Sequence, residues 1–246
     1  MVSNGVGSVR RRWPADTLMS RLDPQVADEL MHLVAGNVYE PGAVLMSQGA
    51  VGTHVYLLES TPRGTSACVK VTATSESGIE TLFGIRAAGD VVGEIAVLGR
   101  RPRTATVTAC SALIGHPIPR DDFLSFLARR PHAWQAVTLM IADRLDWANH
   151  RRLDFAGHDV TVHIARVMIH ILDLYGQSSA NTGELGVSLS QPELGRLVGA
   201  SKEAAAKAVR RLREMGLIET SYRTITVRDV AGLRIAAELP ADPKRR

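Results

Sequence analysis

Residues 89–107 concentrate groups that can hold a sugar phosphate. Gly89-Asp90 opens a turn, Gly93-Glu94-Ile95-Ala96 begins a short apolar run, and Arg103-Thr104-Ala105 leads into an alternating strand. Glycines at 89 and 93 allow the backbone to approach a bound group closely. Amide N–H groups over 93–98 can point at an anion, as they do at helix N-termini and in backbone nests. Arg103 adds a planar cation whose donor fork suits phosphate. Glu94 is an acceptor that a ribose hydroxyl can satisfy. The same residues allow a second reading, a glycine turn of a β-barrel in which Glu94 and Arg103 pair with each other.

A second group of residues has the chemistry of a polyanion reader. Ser190-Gln191-Pro192-Glu193 is a capping box with Pro near the helix start. It predicts a short helix over 191–198, turned by Gly199-Ala200. Ser201 caps a second helix running from Lys202 to about Met215, where Gly216 stops it. Leu194, Leu197, Val198, Ala205, Val209 and Leu212 can share one core, which leaves Lys202, Glu203, Ala206, Lys207, Arg210 and Arg213 on the outer face. Between 191 and 214 six basic residues face three acidic ones, an excess that attracts phosphate. Two helices across a tight turn, followed by a hairpin over 217–227 with a Ser-Tyr-Arg turn, read as a winged helix-turn-helix.

The remaining elements must position these two groups. Apolar residues at helical spacing over 14–31 predict a pair of short helices, with Asp23 as an N-cap before Pro24. From Val38 to Ile118 the period becomes two. Short strands over 44–46, 55–58, 68–71, 81–85, 104–108 and 113–118 are punctuated by Gly and Pro, the pattern of a barrel or sandwich. A short helix starts at Arg120. Over 132–155, Trp134, Thr138, Ile141, Leu145, Ala148, Arg152 and Phe155 recur at steps of four and three, the seam of a paired helix. Ala156-Gly157-His158 reads as a hinge and Asp159 as the N-cap of a helix over 160–175. Gln177–Glu184 reads as a polar loop.

Composition narrows the class. A chain of 246 residues with net charge +4 permits a polyanion partner without demanding one. Two cysteines do not make a disulfide framework, and Cys68 reads as a small core residue. The low cysteine count makes a reducing cytoplasm the expected compartment, and no apolar run is long enough to span a bilayer. No nucleophile–base pair, metal spacing or phosphate-loop motif is visible, so neither an enzyme nor a metal site is expected.

The run Gly93, Glu94, Ile95, Ala96, then Arg103, Thr104, Ala105 resembles the phosphate-binding cassette of cyclic-nucleotide-binding domains. With the two-helix unit behind it, the chain resembles the cyclic AMP receptor protein/FNR family over roughly residues 20 to 235. The resemblance implies an α+β architecture: a double-stranded β-helix (jelly-roll-like) sensor domain, a long dimerisation helix and a C-terminal winged helix-turn-helix. The expected divisions are a basic tail over 1–19, the β-roll over 20–130, the dimerisation helix and hinge over 131–157, the DNA-binding domain over 158–236 and a tail over 237–246.

It further implies a ligand site of Gly93, Glu94, Ile95, Ala96, Arg103, Thr104, Arg144 and Asn149, with Glu94 on the ribose and Arg103 and Thr104 on the phosphate. The implied effector is a cyclic nucleotide, cyclic AMP foremost, and no other cofactor. DNA-contacting residues would be Ser190, Gln191, Ser201, Lys202, Glu203, Lys207, Arg210 and Arg223. The implied partners are double-stranded DNA, a second copy of the chain and RNA polymerase. Two departures bear on specificity. Ala148-Asn149 stands where the best-known cyclic AMP sensor has a Thr–Ser pair. Lys202 and Lys207 stand where the family has arginines, which removes bidentate guanine recognition. Two other readings are a ligand-independent regulator with a vestigial pocket and a signalling subunit that acts through protein contacts.

Overall fold

A computed structural model describes residues 13–62, 67–154, 159–179, 181–187, 189–221 and 224–240, with the side chains of 152–154 and 177–179 outside that description. A 3-10 turn, Met19–Arg21, precedes α1 (Pro24–Met31). The roll follows as β1 (Asn37–Tyr39), β2 (Val44–Met46), β3 (His54–Ser60), β4 (Cys68–Thr74), β5 (Glu80–Ala87) and β6 (Val91–Val92), then α2 (Glu94–Gly99), β7 (Thr106–Ala109) and β8 (Leu113–Pro119). Helices α3 (Arg120–Arg129) and α4 (Pro131–Asp154) lead out of it. The C-terminal part contains α5 (Val160–Tyr175), β9 (Gln177–Ser179), β10 (Thr182–Glu184), α6 (Gln191–Leu197), α7 (Lys202–Glu214), β11 (Ile218–Ser221), β12 (Thr224–Val227) and α8 (Val230–Ala236). No described helix is long and apolar enough to cross a membrane.

The roll is two four-stranded antiparallel sheets, ordered β1-β8-β3-β6 and β2-β7-β4-β5. Alternation puts Leu45, Leu58, Val69, Val107 and Leu113 into the space between the sheets. A second core forms where α1, α3 and the first half of α4 close one end of the roll around Leu30, Phe123, Phe126, Val137 and Met140. Leu18 and Met19, within the span expected as a tail, are buried in that core, and Trp13 packs against it. Asp23 makes no side-chain capping bond, although Pro24 does open α1.

The C-terminal part packs α5, α6 and α7 around Ile164, Met168, Leu194, Leu197, Val209 and Leu212. The segment read as a polar loop over 177–184 is instead a hairpin, β9–β10. It pairs with β12 and extends the wing to four strands, β11-β12-β10-β9. Its residues lack an apolar alternation; the edge of β12 supplies the partner that their pattern does not announce. Asp159 does not cap α5. Its carboxylate accepts from Thr161 Oγ1 at 3.1 Å and pairs with Arg211 at 3.5 Å. The hinge read at Ala156-Gly157-His158 lies outside the described residues.

The two halves meet on the β4–β5 hairpin. Cys68, Leu82 and Ile85 belong to the same apolar cluster as α5 and α6. Polar links frame the contact: Lys70–Glu193 at 3.1 Å, Arg196–Glu80 at 2.5 Å, and the Tyr175 hydroxyl donating to the Ile85 carbonyl at 3.1 Å. Glu193 has two tasks. It completes the capping box with Ser190 and receives Lys70 from the roll. Burial pushes its pKa up, but the bonds from Ser190 and Lys70 outweigh burial and the net shift is below 4.5. Its contribution to stability is therefore present above about pH 4.5 and lost as pH falls through the lower folded value. Glu193→Gln keeps the cap but removes the charge. Thermal unfolding is expected to show the variant melting below wild type at pH 7 and the difference narrowing as pH falls below about 4.5; a pH-independent difference would remove the charge from the account.

Candidate functional site

The cassette is built from three turns that lock onto one another. Gly93 ends β6 with φ of 86°, a left-handed conformation that favours glycine, and a Cβ there would collide with the Arg103 guanidinium. This geometry starts α2 at Glu94 and brings Arg103 across the turn. The Arg103 main chain is held by the early turn of the roll: its N–H donates to Ala50 O and its carbonyl accepts from Gly49 N, both at 2.8 Å. The buried side chain donates to Gly93 O at 3.0 Å and to His54 O at 2.5 Å. Two N–H groups thus aim the guanidinium, and the fork retains donors for an anion. Burial lowers its pKa, with Tyr56 and Glu94 opposing, and it remains a cation.

Glu94 does not pair with Arg103. It accepts from Arg144 on α4 at 2.8 Å, and the same guanidinium lies 3.2 Å from Asp90 and donates to Val91 O at 3.0 Å. Glu94 and Asp90 are both buried. Burial works against the Arg144 cation, and the two carboxylates outweigh it, so its pKa is raised. One side chain at the middle of α4 therefore grips both ends of the turn that carries the cassette. Of the other expected ligand residues, Ala96 is buried, Ile95 is 38% exposed and Thr104 is exposed beside Arg103. Asn149 is exposed and does not join this group. Five residues separate it from Arg144, about 140° around a helix, so the two side chains leave α4 in different directions.

The face of α4 turned away from its own roll carries part of the expected seam. Trp134, Leu139 and Leu145 are exposed large apolar residues, Thr138 is exposed, and Ile141 and Ala148 are half-buried. The side chain of Arg152 and the whole of Phe155 lie outside the described residues.

The second candidate site is the outer face of α7. Ser201 caps the helix by accepting from Ala204 N, and Ser190 caps α6 in a complete capping box. Helices α6 and α7 cross closely at Gly195, where a Cβ would meet the Ala205 methyl at 2.9 Å. Burial of Ala205, Ala208, Val209 and Leu212 orients the helix. That leaves Lys202, Glu203, Lys207, Arg210, Arg211 and Arg213 exposed along one surface. Gln191, beside the cap of α6, is half-buried. Glu203 folds back on its own helix start: its backbone N–H and the Ser201 hydroxyl lower its pKa. Arg223 lies outside the described residues.

These two sites correspond to two family models. Residues 37–130 match the cyclic nucleotide-binding domain and residues 164–235 the Crp-like helix-turn-helix domain. The chain belongs to the CRP/FNR family of transcription regulators. It is 25% identical over 188 residues to the CRP-like cAMP-activated global transcriptional regulator of Mycobacterium tuberculosis, covering 76% of this chain and 81% of that one. It is 26% identical over 192 residues to the cAMP-activated global transcriptional regulator CRP of Escherichia coli, covering 77% and 87%. Among solved structures, a CRP-family transcriptional regulator from Thermus thermophilus shares the fold with a TM-score of 0.66 at 19% identity, covering 84% of this chain and 98% of that one.

Sequence reasoning missed two residues of the cassette region. Asp90 was legible only as a turn residue, yet it is the second carboxylate on Arg144. Arg86 sits opposite Val69 in the β4–β5 register, on the strand face that points into the roll core. A charged residue at an inward position of an alternating strand was the signal for it. Arg144→Met strands two buried carboxylates. The expected result is a loss of about 3–5 kcal/mol of unfolding free energy, read by urea denaturation; a change under about 1 kcal/mol would show that the pair is dispensable.

Proposed function

We propose that this CRP/FNR regulator is a homodimeric, sequence-specific DNA-binding protein of the cytoplasm, controlled by a cyclic nucleotide or related effector held in the roll. The observation that carries this reading is the Arg144 bridge, which ties Glu94 of the cassette to the helix that would form the dimer axis. An effector whose ribose competes for Glu94 changes what Arg144 holds, and so changes the seating of α4. The exposed apolar residues of α4 support pairing of two copies along that helix. Asn149, on a different side of α4 from Arg144, then reaches the effector of a partner copy. The effector selects the DNA-competent arrangement to the extent that it binds that state more tightly.

In the paired state the two α7 helices enter successive major grooves about 34 Å apart. Lys202 and Lys207 read base edges at the helix start, Glu203 accepts from cytosine once released from its cap, and Ser201, Arg210 and Gln191 contact backbone phosphate. RNA polymerase is the partner expected of such a regulator. The relatives named above are described as cAMP-activated, which supports cyclic AMP as the first effector to test. One observation favours a second reading, a regulator that needs no ligand: Glu94 and Arg103 already have internal partners.

Calorimetry with cyclic AMP, cyclic GMP and cyclic CMP separates the two. At least one nucleotide is expected to bind, and Arg103→Ala to weaken it by 100-fold or more. Silence from all three with undiminished operator binding selects the ligand-free regulator. Arg103→Ala also orphans two carbonyls, so its melting temperature is measured beside its affinity. On DNA, Lys202→Ala is expected to cost about 1–3 kcal/mol of discrimination between operator and random duplex in fluorescence anisotropy. Arg211→Ala is expected to weaken both duplexes alike. Equal effects of Lys202→Ala on both sequences would remove its base-reading role.

A further inference from the structure

The chain's two cysteines, far apart in sequence, meet across adjacent strands of the roll. Val69 of β4 faces Ala109 of β7, so the next pair outward is Cys68 and Cys110. Cys110 N–H donates to Cys68 O at 2.8 Å, and Cys68 N–H donates to Ser111 Oγ at 3.0 Å. The two thiols share a hydrogen bond, and both are reduced. Facing residues of a backbone-bonded antiparallel pair stand about 5.5 Å apart at Cα, inside the range that a disulfide spans. Side-chain rotation and a small closing of the strands bring sulfur onto sulfur.

The pair lies where the roll meets the winged helix. Cys68 is buried in the apolar cluster that includes α5 and α6, and the half-buried Cys110 packs against that cluster. Lys70, two residues along β4 and so on the same face, carries the ion pair to Glu193 of α6. Both charges reach the Cys110 thiol. The hydrogen bond with Cys68 and burial push its pKa up, Glu193 adds to them and Lys70 opposes. In the docked arrangement Cys110 is therefore a protonated thiol and a slow nucleophile. Its reactivity depends on what holds Lys70.

We propose that Cys68 and Cys110 are a dithiol–disulfide site at the joint between the roll and the winged helix, oxidised by hydrogen peroxide, and that the bridge loosens α6 from the roll. Cys110, the more accessible of the two, gives up its proton and its sulfur attacks one peroxide oxygen. The O–O bond breaks, a sulfenic acid forms on Cys110, and the other oxygen takes up the released proton and leaves as water. The Cys68 sulfur then attacks the sulfenic sulfur. The S–S bond forms, the S–O bond breaks, and the Cys68 proton leaves with the hydroxyl as a second water. The thiol pair has lost two electrons and two hydrogens, and the peroxide has been reduced to water. A dithiol reverses the change by exchange, so in a reducing compartment the bridge is transient.

The Cβ atoms of a disulfide stand about 3.8 Å apart, against about 4.5–5.5 Å for facing strand residues. Bridging therefore draws Cys68 toward Cys110 and out of its contact with α5 and α6. It also shifts β4, the strand that holds Glu193 through Lys70. This goes beyond the effector and DNA readings and depends on neither.

The test treats the full chain with hydrogen peroxide well below its melting temperature, alkylates it under denaturing conditions and measures its mass. The expected product is a single chain lighter by two hydrogens, with neither cysteine alkylated, and dithiothreitol restores both thiols. Amide hydrogen exchange over α6 is expected to be about 10-fold faster in the bridged chain, and insensitive to peroxide in Cys68→Ala and Cys110→Ala. If the alanine variants melt early, the rate of bridge formation in Glu193→Gln decides. It is expected to be several-fold faster than in the unsubstituted chain, because Lys70 is then free to favour the Cys110 thiolate; an equal rate overturns the proposal. Two thiols that stay alkylatable after peroxide overturn it. So do a bridge between two chains, an oxidised cysteine that dithiothreitol does not restore, and an intrachain bridge that leaves exchange over α6 unchanged.

Discussion

Arg144 carries three contacts that the rest of the molecule depends on. Its guanidinium holds Glu94, Asp90 and the Val91 carbonyl at once, from the middle of a helix that otherwise meets the roll through apolar side chains. Removing any one charge would leave the others in a site with little water, where an unpaired carboxylate is expensive. The Gly93–Glu94 turn and the long helix are thus held in one relation by electrostatics that neither could satisfy alone. Arg103 provides the complementary constraint. It is anchored by backbone carbonyls rather than by an acid, so its charge stays unneutralised and directed at the turn.

The β4–β5 hairpin is where the halves of the chain meet. Its inner face closes the roll, while Cys68, Leu82 and Ile85 join the core of the winged helix. Cys68, read from the sequence as a small core residue, is buried in this packing. Glu193 serves the local helix start and the long-range contact together, since one carboxylate receives both Ser190 and Lys70. The docked surface includes α6 and leaves the outer face of α7 in solvent. Contact between the halves and exposure of the basic surface are therefore compatible in one chain.

Much of the cassette and of the helix-turn-helix was readable in the amino-acid order because both are local. A left-handed Gly93, an Arg ten residues on, and Ser caps at 190 and 201 act through neighbours a few residues away. Strand alternation over 44–118 was readable for the same reason. The misreadings share the opposite cause. Asp23 and Asp159 have the residue type of an N-cap but no capping bond, because type does not decide where a carboxylate points. β9–β10 has no apolar pattern and exists through pairing with β12, a strand about 40 residues away in the chain.

The sequence by itself determined the periods, the caps and the glycines, and hence a roll, a long helix and a winged unit with an anion-friendly turn and a basic helix. These follow from backbone sterics and short-range hydrogen bonding, which residue order specifies directly. Only the tertiary structure decided which acid Arg144 would hold, which side of α4 would face the roll, and that Glu193 would receive Lys70 from the roll. Those choices are made by desolvation. A charge is placed by the burial around it and by the partner that burial brings within reach, and neither is written in the spacing of residues along the chain.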